Sequence, residues 1–387
     1  MISALAISGY RSLRNLVIPL KALNLITGSN GTGKSSLYRA TRLLAETAQG
    51  NVIQSLAREG GLPSTLWAGP EAISCSMKRG EHAIQGTVRK SPISLRLGFS
   101  SDQFGYAIDL GLPIPSKTMF GRDPEIKREC VWHGSRLRPS ALLVDRHGPL
   151  LRRRQADGDW QMLLQNLSSF DSMMTYAADP QNAPELLILR ERIRSWRFYD
   201  QFRTDARAPA RLPQIGTRTP VLSNDGNDLA AAIQTIYEIG DGAALSAAVS
   251  DAFPGSRVWV EDVSGRFTLK MEQHGLLRPL EAAELSDGTL RYLLWIAVLL
   301  TPRPPTLMVM NEPETSLHPD LLPALARLIA AASVQTQAIV VSHAPRLAAE
   351  LANQPACHAI RIQKQFGETI VSGLSDRDCL NWQWPAR

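Results

Sequence analysis

The stretch Gly28-Ser29-Asn30-Gly31-Thr32-Gly33-Lys34-Ser35, followed by Ser36, constrains this chain more than any other. It matches G-x-x-x-x-G-K-[ST] in full. The glycines let successive backbone N–H groups turn inward and make a nest for phosphate oxygens. An apolar run at 23–26 precedes it. Leu37, Ala40, Leu43 and Leu44 follow at helical spacing, which predicts a helix over 34–48. A helix starting there presents its positive end to the same anion. Lys34 would then reach the β- and γ-phosphates, and Ser35 would offer a hydroxyl to Mg2+. Such a strand–loop–helix belongs to an α/β fold and implies a nucleoside triphosphate, ATP or GTP.

The rest of the chain divides by pattern. Short apolar runs at 2–7 and 16–20 read as strands. Further short runs at 73–77, 83–88, 93–99, 106–110 and 141–144, separated by Gly, Pro, Asp and Ser, predict antiparallel strands. Residues 156–225 are irregular, with one helix expected at 185–198. Helices follow at 227–239 and 241–252, then strands at 257–263 and 267–273. From 280 onward helix and strand alternate: a helix after Gly288, a strand at 306–310, a helix at 320–332 and a strand at 338–341. No heptad run supports a long coiled coil.

Composition removes several classes. With 44% hydrophobic and 20% charged residues, wholesale disorder is excluded. The four cysteines, Cys75, Cys130, Cys357 and Cys379, have no ligand-like spacing, so neither a zinc site nor a disulfide framework is expected. The longest apolar run, 293–300, is too short for a bilayer, and the N-terminal residues do not read as a leader. No membrane partner and a cytoplasmic location are the expectation.

Two acids stand at the end of the apolar strand Thr306-Leu-Met-Val-Met-Asn311-Glu312-Pro-Glu314. This is the position where a strand tip points a polar side chain at the Mg2+ shell. Asn311 occupies the place usually taken by Asp. Its amide can accept a hydrogen bond from a metal-bound water but carries no charge, so it should hold Mg2+ less firmly and leave Ser35, the phosphates or a nearby acid to fix the ion. Glu312 is the candidate to orient or deprotonate the water that attacks the γ-phosphate. Glu314 could act there, cap a helix or serve a hinge.

Further motifs complete a recognisable set. Leu285-Ser286-Asp287-Gly288-Thr289 resembles the ABC signature. Glu312-Pro-Glu-Thr-Ser316-Leu-His318-Pro319 resembles a Walker B tail with its D-loop. Val341-Ser342-His343 resembles the switch histidine. In order and spacing the chain resembles the heads of RecF, the SMC proteins and the OLD-type ATPases, and most of all compact stand-alone ABC-like ATPases of the AAA type. The resemblance covers roughly residues 1–50 and 280–345. It implies a single ABC-ATPase-like head over 1–387, with a mixed or parallel P-loop core sheet, an antiparallel β lobe and a helical signature lobe. Its parts would be a P-loop and β lobe over 1–155, an inserted irregular and helical region over 156–280, and a signature, Walker B and switch-His lobe over 281–387. It also implies a homodimer that sandwiches two ATP molecules with Mg2+. Ser286 and Gly288 of one subunit would touch the γ-phosphate held by Lys34 of the other. His343 would sense that phosphate, and Arg11 would contact phosphate as well. Gln165 and Gln214 both qualify for the Q-loop. Asn311 puts the rate of hydrolysis, more than binding, in question.

Eight arginines lie between 190 and 218, opposed by Glu191, Asp200 and Asp205 and interleaved with Trp196, Phe198, Tyr199 and Phe202. Arg152-Arg153-Arg154 forms a second cluster. Arginine forks with stacking rings suit nucleic acid. A partner-protein surface and a purely structural use remain open. The functional expectation is an ATP-driven switch in DNA repair or anti-phage defence, with DNA as partner. The alternative is a switch that controls a separate effector protein and never touches nucleic acid. The residues after His343, including Asp376 and Asp378, show no nuclease constellation. The wide separation of Lys34 from Ser286 argues against a transporter motor.

Overall fold

The computed structural model describes residues 1–71, 77, 79, 92–115, 117–373 and 382–387. The strand expected at 83–88, residues 73–76 of the strand before it, and Cys75, Cys379, Asp376 and Asp378 lie outside these. The chain forms two compact units. One contains 1–21, 28–195 and 360–387; the other contains 22–27 and 196–359.

The first unit is built on an eight-stranded antiparallel sheet. It runs β1 (Ile2–Tyr10), β2 (Leu13–Pro19), β4 (Leu95–Ser101), β5 (Phe104–Gly111), β6 (Glu125–His133), β7 (Leu142–His147), β8 (Leu150–Arg154) and β9 (Trp160–Leu164), in spatial order β2-β1-β4-β5-β6-β7-β8-β9. β6 and β8 do not read as apolar runs because charged residues interrupt them, and β9 is a short strand with Gln161 in its middle. Arg152, Arg153 and Arg154 sit on β8, where Arg152 pairs with the buried Asp145 at 2.8 Å and Arg153 with Glu185 at 3.0 Å. Helix α1 (Lys34–Thr47) buries Leu37, Ala40, Leu43 and Leu44, the stripe its sequence spacing predicts. The short α2 (Val52–Arg58), α3 (Leu62–Thr65) and α4 (Met173–Tyr176) follow, then α5 (Pro184–Arg194). α5 opens on a proline, whose missing N–H costs a first helical turn nothing. It stops at Arg194, so the helix expected through 198 is shorter: the β-favouring Arg197–Tyr199 triplet leaves it to join a sheet.

The second unit holds a parallel sheet of β3 (Leu23–Thr27), β10 (Arg197–Tyr199), β15 (Leu307–Asn311) and β16 (Gln337–Val341), in order β10-β15-β16-β3. Every residue of β16 is buried, as are the first four of β3 and β15. Such continuous apolar runs are what a parallel sheet covered on both faces requires. The covering helices are α6 (Leu229–Ile239), α7 (Gly242–Ala252), α8 (Asp287–Leu299), α9 (Leu322–Ala332) and α10 (Pro345–Ala352). α8 is buried on all sides from Leu290 to Leu299. A small antiparallel sheet, β11 (Gln214–Ile215), β12 (Arg257–Val263), β13 (Arg266–Glu272) and β14 (Leu280–Glu281), lies under α6 and α7. Trp295 of α8 meets Phe202 edge-on at 5.1 Å and Tyr199 at 6.2 Å between ring centres. Trp196 and Phe198 are buried too. The four rings of the arginine-rich stretch are therefore core, and none is available to stack on a base. β17 (Cys357–Gln365) begins in this unit and runs into the first, where it pairs with β18 (Glu368–Val371).

Candidate nucleotide site

The phosphate loop begins on the residue after β3 and ends on the first turn of α1. Gly33 has φ 106°, and Gly31 φ 79°, both in the left-handed region that turns amides inward. At Gly33 a side chain is excluded twice, since a Cβ would collide with Thr369 Oγ1 and lie 2.9 Å from Ser12 Oγ. The same two hydroxyls hold the loop. Thr369 Oγ1 bonds the Thr32 carbonyl at 2.7 Å and Ser12 Oγ at 2.8 Å. The buried Lys34 donates from Nζ to the carbonyls of Gly28 (2.6 Å) and Ser29 (3.1 Å), so its ammonium sits inside the turn of the loop. Ser29, Asn30, Gly31 and Ser35 are exposed, and Ser36 is half-buried. Inward-turning glycines, an ammonium within the loop and the open start of α1 fit a polyphosphate. Thr369 and Ser12 were missed in the sequence, since a lone hydroxyl far along the chain carries no pattern.

Arg11 lies in the β1–β2 turn at φ 48°. Its Nη2 donates to Glu59 Oε2 at 2.8 Å, and Tyr10 OH donates to the same oxygen at 2.5 Å. Burial, then the Glu59 bond, push the Tyr10 phenol well above its usual pKa, so it stays a protonated donor. In this arrangement Arg11 is neutralised by a carboxylate.

In the second unit the tips of the parallel strands gather the remaining candidates. The register pairs Asn311 with Val341 and Val341 with Ile26. Glu312 follows Asn311 in a left-handed conformation, φ 51°, which a non-glycine residue adopts at a cost on the order of 1 kcal/mol. The bond from its N–H to the Val341 carbonyl, 2.7 Å, holds it there. Its Oε1 lies 3.4 Å from Nδ1 of the exposed His343. Glu312 and His343, distant in sequence, thus form one pair, suited to holding a water and reporting on an anion.

Glu314 has the role that sequence left open. Its buried Oε1 accepts from Ser342 Oγ (2.7 Å), His343 N (2.9 Å) and Ala344 N (3.1 Å). It fixes the turn that carries His343 and leads into α10. Asn311 donates from Nδ2 to Asp200 Oδ1 at 2.8 Å, while its Oδ1 is shielded without a partner. An unpaired oxygen here is of the kind that Mg2+ prefers. Among the described residues no three His, Cys, Asp or Glu side chains form a metal site by themselves.

The signature loop is built as a helix start. Ser286 caps α8, its Oγ accepting from Thr289 N at 3.1 Å. Arg211, nearly buried, pins the loop: its guanidinium donates to the carbonyls of Thr204, Ala282, Ala283 and Leu285 and pairs with Asp287 at 2.6 Å. A Cβ on Gly288 would lie 3.2 Å from the Ser316 carbonyl, so signature and D-loop run close. Arg291 of α8 donates to the carbonyls of Thr315 (3.1 Å) and Phe202 (2.9 Å), and Trp295 Nε1 to that of Pro313 (3.0 Å). Burial lowers the pKa of Arg291. Of the Q-loop candidates, Gln214 accepts from Ala230 N at 2.9 Å and Gln165 is exposed just beyond β9.

Most of the remaining arginines of the 190–218 stretch also find partners. Arg190 and Arg194 bond Glu191, Arg192 bonds Gln103, Arg203 pairs with Asp205 and Arg218 with Glu238, whereas Arg207 bonds Asp205 through its backbone N–H. No described helix is long and apolar enough to cross a membrane.

The geometry agrees with comparisons to known proteins. In overall structure the chain is similar to an SMC head bound to the C-terminal winged-helix domain of ScpA. The TM-score is 0.52 at 15% identity, covering 98% of this chain and 99% of that one. An SMC head from Pyrococcus furiosus, with an extended coiled coil and bound to the C-terminal domain of ScpA, gives 0.49 at 14% identity (98% and 97% covered). The SMC head from Thermotoga maritima gives 0.45 at 13% (97% and 99%). No curated protein matches in sequence. The model of the family described as "AAA domain, putative AbiEii toxin, Type IV TA system" matches residues 23–349. The chain belongs to that AAA-domain family, and its fold is that of an SMC head.

Proposed function

We propose that this head is an ATP-hydrolysing switch that closes as a homodimer around two Mg-ATP and so controls a defence or DNA-maintenance reaction. The observation that carries it is the Glu312–His343 pair at neighbouring strand tips, locked by Glu314. In this reading residues 28–36 cradle the triphosphate, with Lys34 neutralising its terminal oxygens. Glu312 orients the attacking water and takes its proton at a carboxylate oxygen. His343 contacts the γ-phosphate. Ser286 and Gly288, at the start of α8, offer an anion-seeking helix end to the γ-phosphate of the second copy. Ser35 and Asn311 would hold Mg2+, which supplies charge to the β- and γ-phosphate oxygens.

The buried rings and paired arginines weaken the case for direct base contact. They favour control of a separate effector protein, and the words "putative AbiEii toxin, Type IV TA system" in the family's description support the defence side. The surplus of 42 Lys and Arg over 36 Asp and Glu keeps DNA in the experiment. Glu312→Gln with ATP and Mg2+ is expected to trap a dimer, read by size-exclusion chromatography with light scattering, with and without DNA. A variant that binds ATP tightly yet stays monomeric refutes the sandwich. A dimer whose size and ATP turnover ignore DNA at low salt selects the effector-protein reading.

A further inference from the structure

The parallel sheet places a carboxylate beside the motif position that lacks one. β10 pairs with β15 in the register Tyr199 to Met310, so the next residues, Asp200 just past β10 and Asn311 at the end of β15, lie side by side. The bond from Asn311 Nδ2 to Asp200 Oδ1, 2.8 Å, commits the amide nitrogen and leaves Asn311 Oδ1 as a shielded acceptor without a partner. Asp200 is exposed, and Asn311 is the only side chain that bonds its carboxylate among the described residues. Its arginine-rich surroundings do not neutralise it: the nearby Arg203 spends both its Nε and Nη2 donors on Asp205.

We propose that Asp200 is the carboxylate of the Mg2+ site, with Asn311 as the amide that orients it and adds a second oxygen. The inference rests on the ATP-switch reading and deepens it. Mg2+ takes only oxygen ligands, keeps several waters, and is held in phosphate-binding enzymes by one or two carboxylates together with the phosphates. Asn311 alone offers no charge. The pair offers one formal negative charge and acceptor oxygens from both residues. Asn311 Oδ1 is left with its acceptor capacity unused, which an oxygen-seeking cation would fill. In a strand-tip site the usual Asp has in effect been moved one strand toward the sheet edge.

The test reads the metal directly, using Mn2+ in place of Mg2+. The full chain is loaded with a fluorescent ATP analogue, and Mn2+ binding is followed by electron paramagnetic resonance. If the wild-type chain binds no analogue, the switch reading and this inference fall together. With analogue binding intact, Asp200→Asn keeps an acceptor for the Asn311 amide and removes only the charge. It is expected to weaken Mn2+ about tenfold or more, with the thermal midpoint of the nucleotide-free protein unchanged. The double variant Asp200→Asn, Asn311→Asp, which returns the carboxylate to the neighbouring tip, is expected to recover Mn2+ affinity to within about threefold. Mn2+ affinity in Asp200→Asn within about twofold of wild type overturns the assignment and leaves the switch reading standing. A double variant as weak as the single one also overturns it.

Discussion

Removing the Glu314 carboxylate should release the turn that carries His343, and the structure sets the size of the effect. One oxygen, Oε1, accepts from Ser342 Oγ, His343 N and Ala344 N at 2.7 to 3.1 Å, and the side chain is only 5% exposed. A hydrogen bond to a charged acceptor contributes about 1.5–3 kcal/mol. The three share one oxygen, and His343 is exposed enough for water to replace part of its loss. The net cost of Glu314→Ala is therefore about 3 kcal/mol, taken as two full bonds at the low end of that range. Because the turn can open without unfolding the unit, the cost is read locally, as amide hydrogen exchange at His343 and Ala344. At about 1.4 kcal/mol per decade, exchange there should rise about a hundredfold. Glu314→Gln keeps an oxygen for the three donors. Its cost, about 1 kcal/mol, is the lost charge and an amide group at the buried place where Glu314 Oε2 has no partner. Exchange should rise less than about tenfold. A Glu314→Ala protein whose exchange at 343–344 rises less than about fivefold, or one matched by Glu314→Gln, would refute the clamp.

Two further substitutions probe the loop and the signature. Gly33→Ala should destabilise by about 2 kcal/mol or more and abolish binding of a fluorescent ATP analogue, because a Cβ there meets both Thr369 and Ser12. Gly31→Ala has the same left-handed strain in open space and should cost only about 1 kcal/mol; equal effects in melting and binding would show that the two hydroxyls do not shape the loop. Arg211→Lys retains the charge but not the fork that reaches four carbonyls and Asp287, and should cost about 2–3 kcal/mol in denaturant unfolding. A loss below about 0.5 kcal/mol would mean that the signature loop holds its shape unaided.

The sequence was most legible where a single physical pattern dominates. The loop at 28–36 needs glycines, a lysine and a hydroxyl at fixed spacing, and α1 needs its apolar stripe. β15 and β16 are continuous apolar runs because both faces of the parallel sheet are covered. The antiparallel sheet was legible only in part. β6 reads Glu-Ile-Lys-Arg-Glu-Cys-Val-Trp-His, and its buried Glu129 is tolerated because Tyr106, Ser172, the Met173 amide and Arg146 all bond it. No local pattern announces a charge whose partners are up to 44 residues away. Site residues divide in the same way. Glu312 and His343 stand at the ends of apolar strands, so each could be found from its own strand. Thr369, Ser12 and Asp200 gain meaning only through neighbours that the fold supplies. The arginine-rich stretch misled for a related reason: alternating Arg and aromatic residues look alike whether the rings face a base or a core, and only burial of Trp196, Phe198, Tyr199 and Phe202 decides between them.

That stretch, once its rings are placed inside, links the functional motifs of its unit. Asp200 bonds Asn311 beside Glu312. Phe202 offers its carbonyl, and Thr204 its hydroxyl, to Arg291 on α8. Phe202 also packs its ring on Trp295 of the same helix, and Arg211 grips the carbonyls just before Ser286. Arg291 in turn reaches the Thr315 carbonyl, within the segment that follows Glu312. A rotation of α8 must therefore either break buried charge-assisted bonds, at about 1.5–3 kcal/mol each, or carry residues 200–211 with it. The second course is cheaper, and it would pull on the Asp200–Asn311 bond. Residues 200–211 thus bond both the strand tip at Asn311 and helix α8, and Arg211 suits the place because one guanidinium can hold several carbonyls at once.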